Sequence, residues 1–371
     1  MKTGCYAAIV LAAGLSSRME GFKPLLSIDG ETITDRVIAT FLNNGVEVLL
    51  VTGWRQDELI AGIKHRDITV VTNPDYASGM FSSVRAGVSH LLPTHRAFFI
   101  MPVDIPLVRP TTIKLILDSA AEHPTKIVYP IFSGIRGHPP LIPSSLIPEI
   151  INWQEDGGLR AVLDSHSEIN LEVKVPDENI LLDIDNQEDV TALLERFRRY
   201  DVPTEKECKA ILDIAGTAEN IRRHCCKVAG VAVDIAEALA IAGRRVDIEA
   251  VRAASILHDI AKGQPEHDIT GGQMLGNIGF ARIGDIVAIH TDLAVGKTTA
   301  SLEAKIVYLA DKFVRDEELV SIEERYHSAE EKYGMIPEIA DKIQQYKQRA
   351  LSVKKEVETL LGYSPDKIIF K

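Results

Sequence analysis

The apolar residues of this 371-residue chain change period part-way along, and that change limits the folds open to it. Over the first 200 residues, short β-branched runs alternate with stretches of helical spacing. Tyr6–Leu11, Val46–Thr52, Ile68–Thr72, Ala97–Met101, Lys126–Pro130 and Ile180–Ile184 read as strands. Thr34–Asn43, Gln56–Lys64, Phe81–Leu91, Thr111–Glu122, Asn186–Leu194 and Leu193–Tyr200 read as helical. Strands spaced by helices build βαβ units and a mostly parallel sheet covered on both faces. Such α/β sheets bind ligands beyond the carboxyl ends of their strands. That rule predicts that Ala12–Lys23 and Pro102–Pro106, each just after a strand, lie side by side.

From about Thr204 onward the strand pattern stops and helices take over, giving an all-α second half. Lys206–Ala215, Thr217–Ala242, Asp247–Ala261, Gly271–Ile278, Gly284–His290 and Ser301–Val314 read as helices. The expected organisation is a first domain over 1–197, a linker over 198–205 with paired arginines and Pro203, a second domain over 206–330, and a charged helical tail over 331–371. No internal repeat is visible.

Charge narrows the partners. Lys plus Arg total 41 against 53 Asp plus Glu, a net −12 that repels polyanions and argues against duplex nucleic acid. Four cysteines are too few for a disulfide framework, so all four are expected as reduced packing residues in a cytoplasmic protein. Lys2 followed by the apolar run Ala7–Leu15 mimics a short signal peptide; a buried first strand running into a glycine turn is the preferred reading. No run approaches the roughly 20 apolar residues that span a bilayer, and no membrane partner is expected.

The first chemical constellation follows the first strand: Leu11-Ala12-Ala13-Gly14-Leu15-Ser16-Ser17-Arg18-Met19, then Lys23-Pro24-Leu25-Leu26. Small residues let backbone approach a phosphate, and successive N–H groups of such a loop form an anion nest. Arg18 and Lys23 would add positive charge at a polyphosphate. A tight turn with solvated basic residues is the alternative.

These residues resemble the signature of the molybdenum-cofactor nucleotidylyltransferases, within the Rossmann-like nucleotidyltransferase superfamily. Further matches follow in order: Asn73-Pro74 with Gly79–Val84, Met101–Pro106, Gly137–Pro140, Asp156–Arg160 and Asp183–Asn186. LAAG rather than LAGG resembles the cytidylyl-transferring branch. Val103 before Asp104, and the Glu20–Phe22 spacing, depart from the common pattern. The resemblance implies transfer of CMP from CTP, with pyrophosphate release, to a phosphate-bearing acceptor such as molybdopterin. A sugar phosphate or aminoalkylphosphonate is the competing acceptor, and a molybdoenzyme or cofactor-insertion protein the implied partner. Leu11, Ala12, Ala13, Gly14, Arg18, Lys23, Asn73, Ser82 and Ser83 are the expected nucleotide contacts, with Arg18, Lys23 and Asp104 catalytic. Asp104 is expected to hold Mg²⁺, which favours oxygen ligands and bridges phosphates. Asp185 is the candidate second ligand; its alternative is the N-cap of the following helix.

The second constellation is His224, His258-Asp259 and Asp311, on three expected helices. Mixed imidazole and carboxylate ligation suits Mn²⁺, Fe²⁺, Co²⁺ or Zn²⁺. Ala253–Lys262 and Tyr308–Lys312 resemble the HD metal-dependent phosphohydrolase superfamily. That resemblance implies a hydrolase acting on a nucleotide or phosphoester, with a regulatory, nucleotide-sensing domain as the alternative. His267 and His290 sit where two-metal members place further histidines; a surface or substrate-contact role is the other reading. Lys262 either meets substrate phosphate or forms a helix salt bridge.

Overall fold

The computed structural model describes residues 5–14, 21–293, 300–333 and 336–370. The chain divides into two compact units, Met1–Tyr200 and Asp201–Lys371.

The first unit is built on an eight-stranded sheet. Its order is Asn170–Lys174, Ile127–Phe132, Leu141–Pro143, Ala97–Pro102, Tyr6–Leu11, Glu47–Thr52 and Thr69–Thr72, with Ile135–Arg136 beside Ile127–Phe132. Tyr6–Leu11 lies centrally and parallel to both neighbours, pairing Leu11 with Val51 and with Pro102. Its Ala7, Ala8, Ile9 and Val10 are fully buried, as a strand covered on both faces requires. The helix Met80–Val88 rests on this strand through Gly87, where a Cβ would lie 2.4 Å from Ile9 Cγ2.

Two strand readings change. Ile180–Ile184 is not a strand: Glu178–Leu181 forms a 3-10 turn. The cause is Asp177, a buried carboxylate that accepts from Arg109 N at 2.8 Å, Thr112 Oγ1 at 2.7 Å and Asn179 Nδ2 at 2.7 Å. These bonds draw the chain inward, and Asn170–Lys174 takes the sheet edge instead, parallel to Ile127–Phe132. Leu141–Pro143 enters the sheet antiparallel to Ala97–Pro102; at three residues, the last a proline, it carries no readable alternation.

The second unit is helical: Glu205–Ile214, Glu219–Ile241, Ile248–Leu257, His267–Asn277, Ala281–Val287 and Leu302–Lys312, followed by Ile322–Tyr333, Pro337–Leu361 and Asp366–Ile369. One small hairpin, Val314–Arg315 with Glu318–Leu319, interrupts the all-α expectation. Asp316 at φ 54° makes its turn, a conformation Asp tolerates. His258 ends the helix Ile248–Leu257 as its C-cap, so the expected helix to Ala261 stops early. The four cysteines are free; Cys225 is buried, whereas Cys226 is exposed on the same helix and is not a packing residue. No helix among the described residues is long and apolar enough to cross a membrane.

Candidate active sites

Parallel pairing carries three loops to one edge of the sheet. Ala12 N donates to Val51 O at 2.9 Å, Val103 N to Leu11 O at 3.2 Å, and Asn73 N to Thr52 O at 2.8 Å. Each loop thus leaves its strand at the same level. Between them lies a cavity of about 350 Å³ lined by Leu11–Gly14, Lys23, Tyr76, Ser83 and Pro102–Asp104, among others.

Lys23 is the hub of this site. It opens a 3-10 turn stiffened by the buried Pro24, whose carbonyl accepts from Thr34 Oγ1 at 2.6 Å. Its Nζ lies 3.5 Å from Asp104 Oδ2 and 3.8 Å from Asp185 Oδ1, and donates to the Ile184 carbonyl. Ile184 N donates to Asp104 O at 3.0 Å, so the two carboxylate loops are tied together. Burial pushes the Asp104 carboxyl above its ordinary value, with Lys23 pulling the other way. A carboxylate so placed gains from a cation closer than the ammonium. The N-cap alternative for Asp185 falls to its neighbour. Asn186 caps the helix Gln187–Arg198 in a reciprocal box with Asp189, which also accepts from Asp185 N.

Asn73 and Ser82 stand back from the cavity. The Asn73 amide donates to Ser82 Oγ and Ser83 Oγ, both at 2.9 Å, and only Ser83 reaches the cavity wall. Arg18 lies outside the described residues. A second cavity of about 640 Å³ shares Met80 and Pro102 with the first and is lined by Phe81, Tyr129, Arg136, His138 and Arg160. His138 Nδ1 is buried there without a hydrogen-bond partner, and burial lowers the pKa of its ring.

In the second unit, six side chains from five segments converge. His224 comes from the helix Glu219–Ile241, His258 and Asp259 from the end of Ile248–Leu257, and His267 from the start of His267–Asn277. His290 follows Ala281–Val287, and Asp311 comes from Leu302–Lys312. Asp259 is the centre. Its Oδ2 faces His258 Nε2 at 3.6 Å and His224 Nε2 at 4.0 Å, and its Oδ1 faces His267 Nε2 at 3.2 Å and His290 Nε2 at 3.4 Å. Asp311 Oδ1 joins the first pair, 3.3 Å from His224 and 3.9 Å from His258.

The outer ring nitrogens fix the tautomers. His258 Nδ1 meets Ser255 O at 2.8 Å, His290 Nδ1 meets Val287 O at 2.7 Å, and His224 Nδ1 meets Asp316 O at 2.7 Å. A carbonyl only accepts, so each Nδ1 carries the proton and each Nε2 turns a lone pair inward. That is the outer-shell arrangement of metal-bound histidine. His258 Nε2 and His267 Nε2 are buried with no hydrogen-bond partner, atoms that a cation would satisfy. Two overlapping groups fit an ion each: His224, His258 and Asp259, then Asp259, His267 and His290.

Electrostatics agree with this donor set. Burial lowers His258 to about 4, keeping its ring neutral. Burial opposes ionisation of Asp311, yet Lys312 and His224 hold it well below the usual carboxylate range. Burial likewise opposes Asp259, while His290, His258 and Lys262 bring it down. Burial works against charge on His224, but Asp311 outweighs it and the pKa rises.

Sequence comparison gives the same division of the chain. Residues 8–169 match the MobA-like NTP transferase domain and residues 221–316 the HD domain. The molybdenum cofactor cytidylyltransferase of Escherichia coli is 32% identical over 190 residues, covering 51% of this chain and 95% of that protein. The chain belongs to the MobA-like NTP transferase family. Nicotine blue oxidoreductase of Paenarthrobacter nicotinovorans is 30% identical over 202 residues, covering 51% of this chain and 97% of its own. Among solved structures, Rv0371c from Mycobacterium tuberculosis H37Rv aligns over 52% of this chain and 100% of its own, with 25% identity and a TM-score of 0.47. The first unit is therefore a nucleotidyltransferase domain and the second carries an HD domain.

Sequence reasoning passed over two groups in these sites. The Ile184 carbonyl orients Lys23, and a backbone atom leaves no residue signature. Lys312, buried beside Asp311, donates to its Oδ2 at 2.7 Å and to His290 O at 3.4 Å. A buried lysine directly after a carboxylate of this cluster was a readable signal. Lys262 takes the salt-bridge option, 3.0 Å from Asp259 Oδ2.

Proposed function

We propose that the chain is bifunctional: the first unit transfers CMP from CTP to a phosphate-bearing acceptor such as molybdopterin, and the HD unit hydrolyses a phosphoester. The convergence of Lys23, Asp104 and Asp185 at the tips of parallel strands carries the first half of this reading. The acceptor oxygen attacks the α-phosphorus, a new P–O bond forms, and the bond to the bridging oxygen breaks as pyrophosphate leaves. Such transfer depends on positioning and charge neutralisation. Asp104 and Asp185 would hold Mg²⁺, which would supply charge neutralisation at the phosphates when bound. Lys23, beside the two carboxylates, would neutralise charge on the departing phosphates. The small residues Ala13 and Gly14 line the first cavity, where their backbone lets the nucleotide approach closely. Cytidylyl transfer is supported by the LAAG sequence and by the E. coli relative.

The second cavity suits the acceptor. It adjoins the first at Met80 and Pro102, is lined by Phe81 and Tyr129, and carries Arg136 and Arg160 for an anion. His138, its pKa lowered by burial, lines the same cavity and keeps a buried Nδ1 without a hydrogen-bond partner.

In the HD unit, divalent ions such as Mn²⁺, Fe²⁺, Co²⁺ or Zn²⁺ fit the donors and supply Lewis acidity toward water and phosphate oxygens when bound. Asp259 spans both groups, so this reading assigns two ions, with His267 and His290 as ligands of the second. Lys312 and Arg325 hold Asp311 ionised. The test is a screen of the four nucleoside triphosphates with candidate acceptors and Mg²⁺, following pyrophosphate. A parallel assay of the same chain with Mn²⁺ follows orthophosphate or nucleoside monophosphate. Pyrophosphate release that ignores both the acceptor and Asp104→Asn rejects the transferase half; no metal uptake rejects the hydrolase half.

A further inference from the structure

The histidines of the second HD ion are held by contacts that extend beyond the matched HD segment. That segment ends at residue 316, whereas the helix Pro337–Leu361 lies past it. This tail helix buries Ile343, Ala350, Val353, Val357 and Leu361 in the core that also contains Leu302–Lys312. From its half-buried flank Arg349 Nη1 pairs with Asp292 Oδ1. Asp292 is two residues past His290. Between them, Thr291 Oγ1 donates to Asp268 Oδ2, and Asp268 directly follows His267. One bond thus joins the chain after His267 to the chain after His290, and the next fastens that junction to the tail. Lys312 holds the third side through the His290 carbonyl.

Among the described residues the tail helix sends no such tether to His224 or His258, although Arg325, also past residue 316, donates to the Asp311 carbonyl at 3.0 Å. His224 is fixed by the Asp316 carbonyl and His258 by the Ser255 carbonyl, both inside the HD segment. Exposed ion pairs contribute little. The Arg349–Asp292 pair differs because both side chains are more than two-thirds buried, at 29% and 21% exposure, and it restrains a loop rather than one helix face.

Resting on the two-ion reading above, we propose that Arg349 is a positioning residue for the second divalent ion. The tail helix is then a working part of the HD site, and affinity for the second ion is set from outside the HD segment. Removing a group that orients a metal ligand typically weakens metal binding by about 10–100-fold.

The test uses the full chain, stripped with chelator and titrated with Mn²⁺. Calorimetry gives stoichiometry and affinity, and electron paramagnetic resonance distinguishes a spin-coupled pair from isolated ions. The wild type should bind two ions in the HD unit and show the coupled signal. Arg349→Met should weaken the second ion by about tenfold or more, leave the first unchanged, and convert the coupled signal to that of a single ion. Arg349→Lys should restore part of the loss. Thr291→Val, which leaves the tail intact, should act in the same direction, and serves alone if Arg349→Met does not fold. Equal affinity for both ions in Arg349→Met and wild type overturns the proposal, as does an equal loss of both. A wild type that binds a single HD ion rejects the two-ion reading itself, an outcome visible before any variant is made.

Discussion

Gly284→Ala separates a packing requirement from an intrinsic helix preference. Gly284 and Gly272 lie where the helices Ala281–Val287 and His267–Asn277 cross. A Cβ on Gly284 would sit 2.4 Å from the Gly272 carbonyl oxygen and 3.4 Å from Gly276 N. Those are backbone atoms, so no side chain can swing away, and the oxygen is roughly 1 Å inside ordinary contact. The helices must part. Overpacking of this kind costs about 1–3 kcal/mol, and a backbone clash belongs at the upper end. Alanine returns about 1 kcal/mol of helix preference. The net expectation is a loss of about 2 kcal/mol, or about 4–8 °C for a unit of this size. Gly230→Ala is the control. It lies within the helix Glu219–Ile241 with nothing within 4 Å of a built Cβ, and should gain about 1 kcal/mol. Urea unfolding of the metal-free full chain, followed by helical circular dichroism, reads both. Because His267 starts one helix and His290 follows the other, Gly284→Ala should also weaken Mn²⁺ binding. Equal stability changes for the two variants refute the reasoning.

The acid response of the metal-free protein follows from His258. Its folded pKa of about 4 lies below the unfolded value near 6.5, so the unfolded chain binds more protons between those values and stability falls as pH drops through them. The loss should approach about 3 kcal/mol by pH 4; His224, raised by Asp311, acts in the opposite sense near neutrality. A flat profile of urea midpoint between pH 7 and 4.5 contradicts this. Asp177→Ala should cost about 3–5 kcal/mol in urea unfolding, because the buried Arg109 guanidinium, 3.6 Å away, loses its carboxylate. Lys23→Met should lower nucleotidyl transfer by about 100-fold or more, measured as initial rate, without lowering the HD unit's Mn²⁺ affinity.

Long, strongly periodic segments were legible. Tyr6–Leu11 and Glu47–Thr52 announce themselves because both faces are buried, and Glu219–Ile241 because its apolar stripe runs for six turns. The turn at Glu178–Leu181 was not, because Ile180-Leu181-Leu182 has strand composition and only a distant carboxylate network, Asp177 with Arg109 and Thr112, overrides it. The hairpin Val314–Leu319 depends on one residue in the left-handed region. The imidazole and carboxylate groups that cluster in the HD unit were readable from His258-Asp259 and Asp311. Their division between the two oxygens of Asp259 was not, since it depends on where five segments end in space. Arg349 was equally hidden: a basic residue on a charged helix is ordinary until the loop it reaches is known.

The most direct test of the central claim is the fate of γ-labelled CTP incubated with the full chain, Mg²⁺ and a phosphate-bearing acceptor. The gathering of triphosphate oxygens by Lys23 and an Asp104-held ion predicts label in pyrophosphate, dependent on the acceptor and absent in Asp104→Asn. Label appearing as orthophosphate, or pyrophosphate formed equally well by Asp104→Asn, contradicts it.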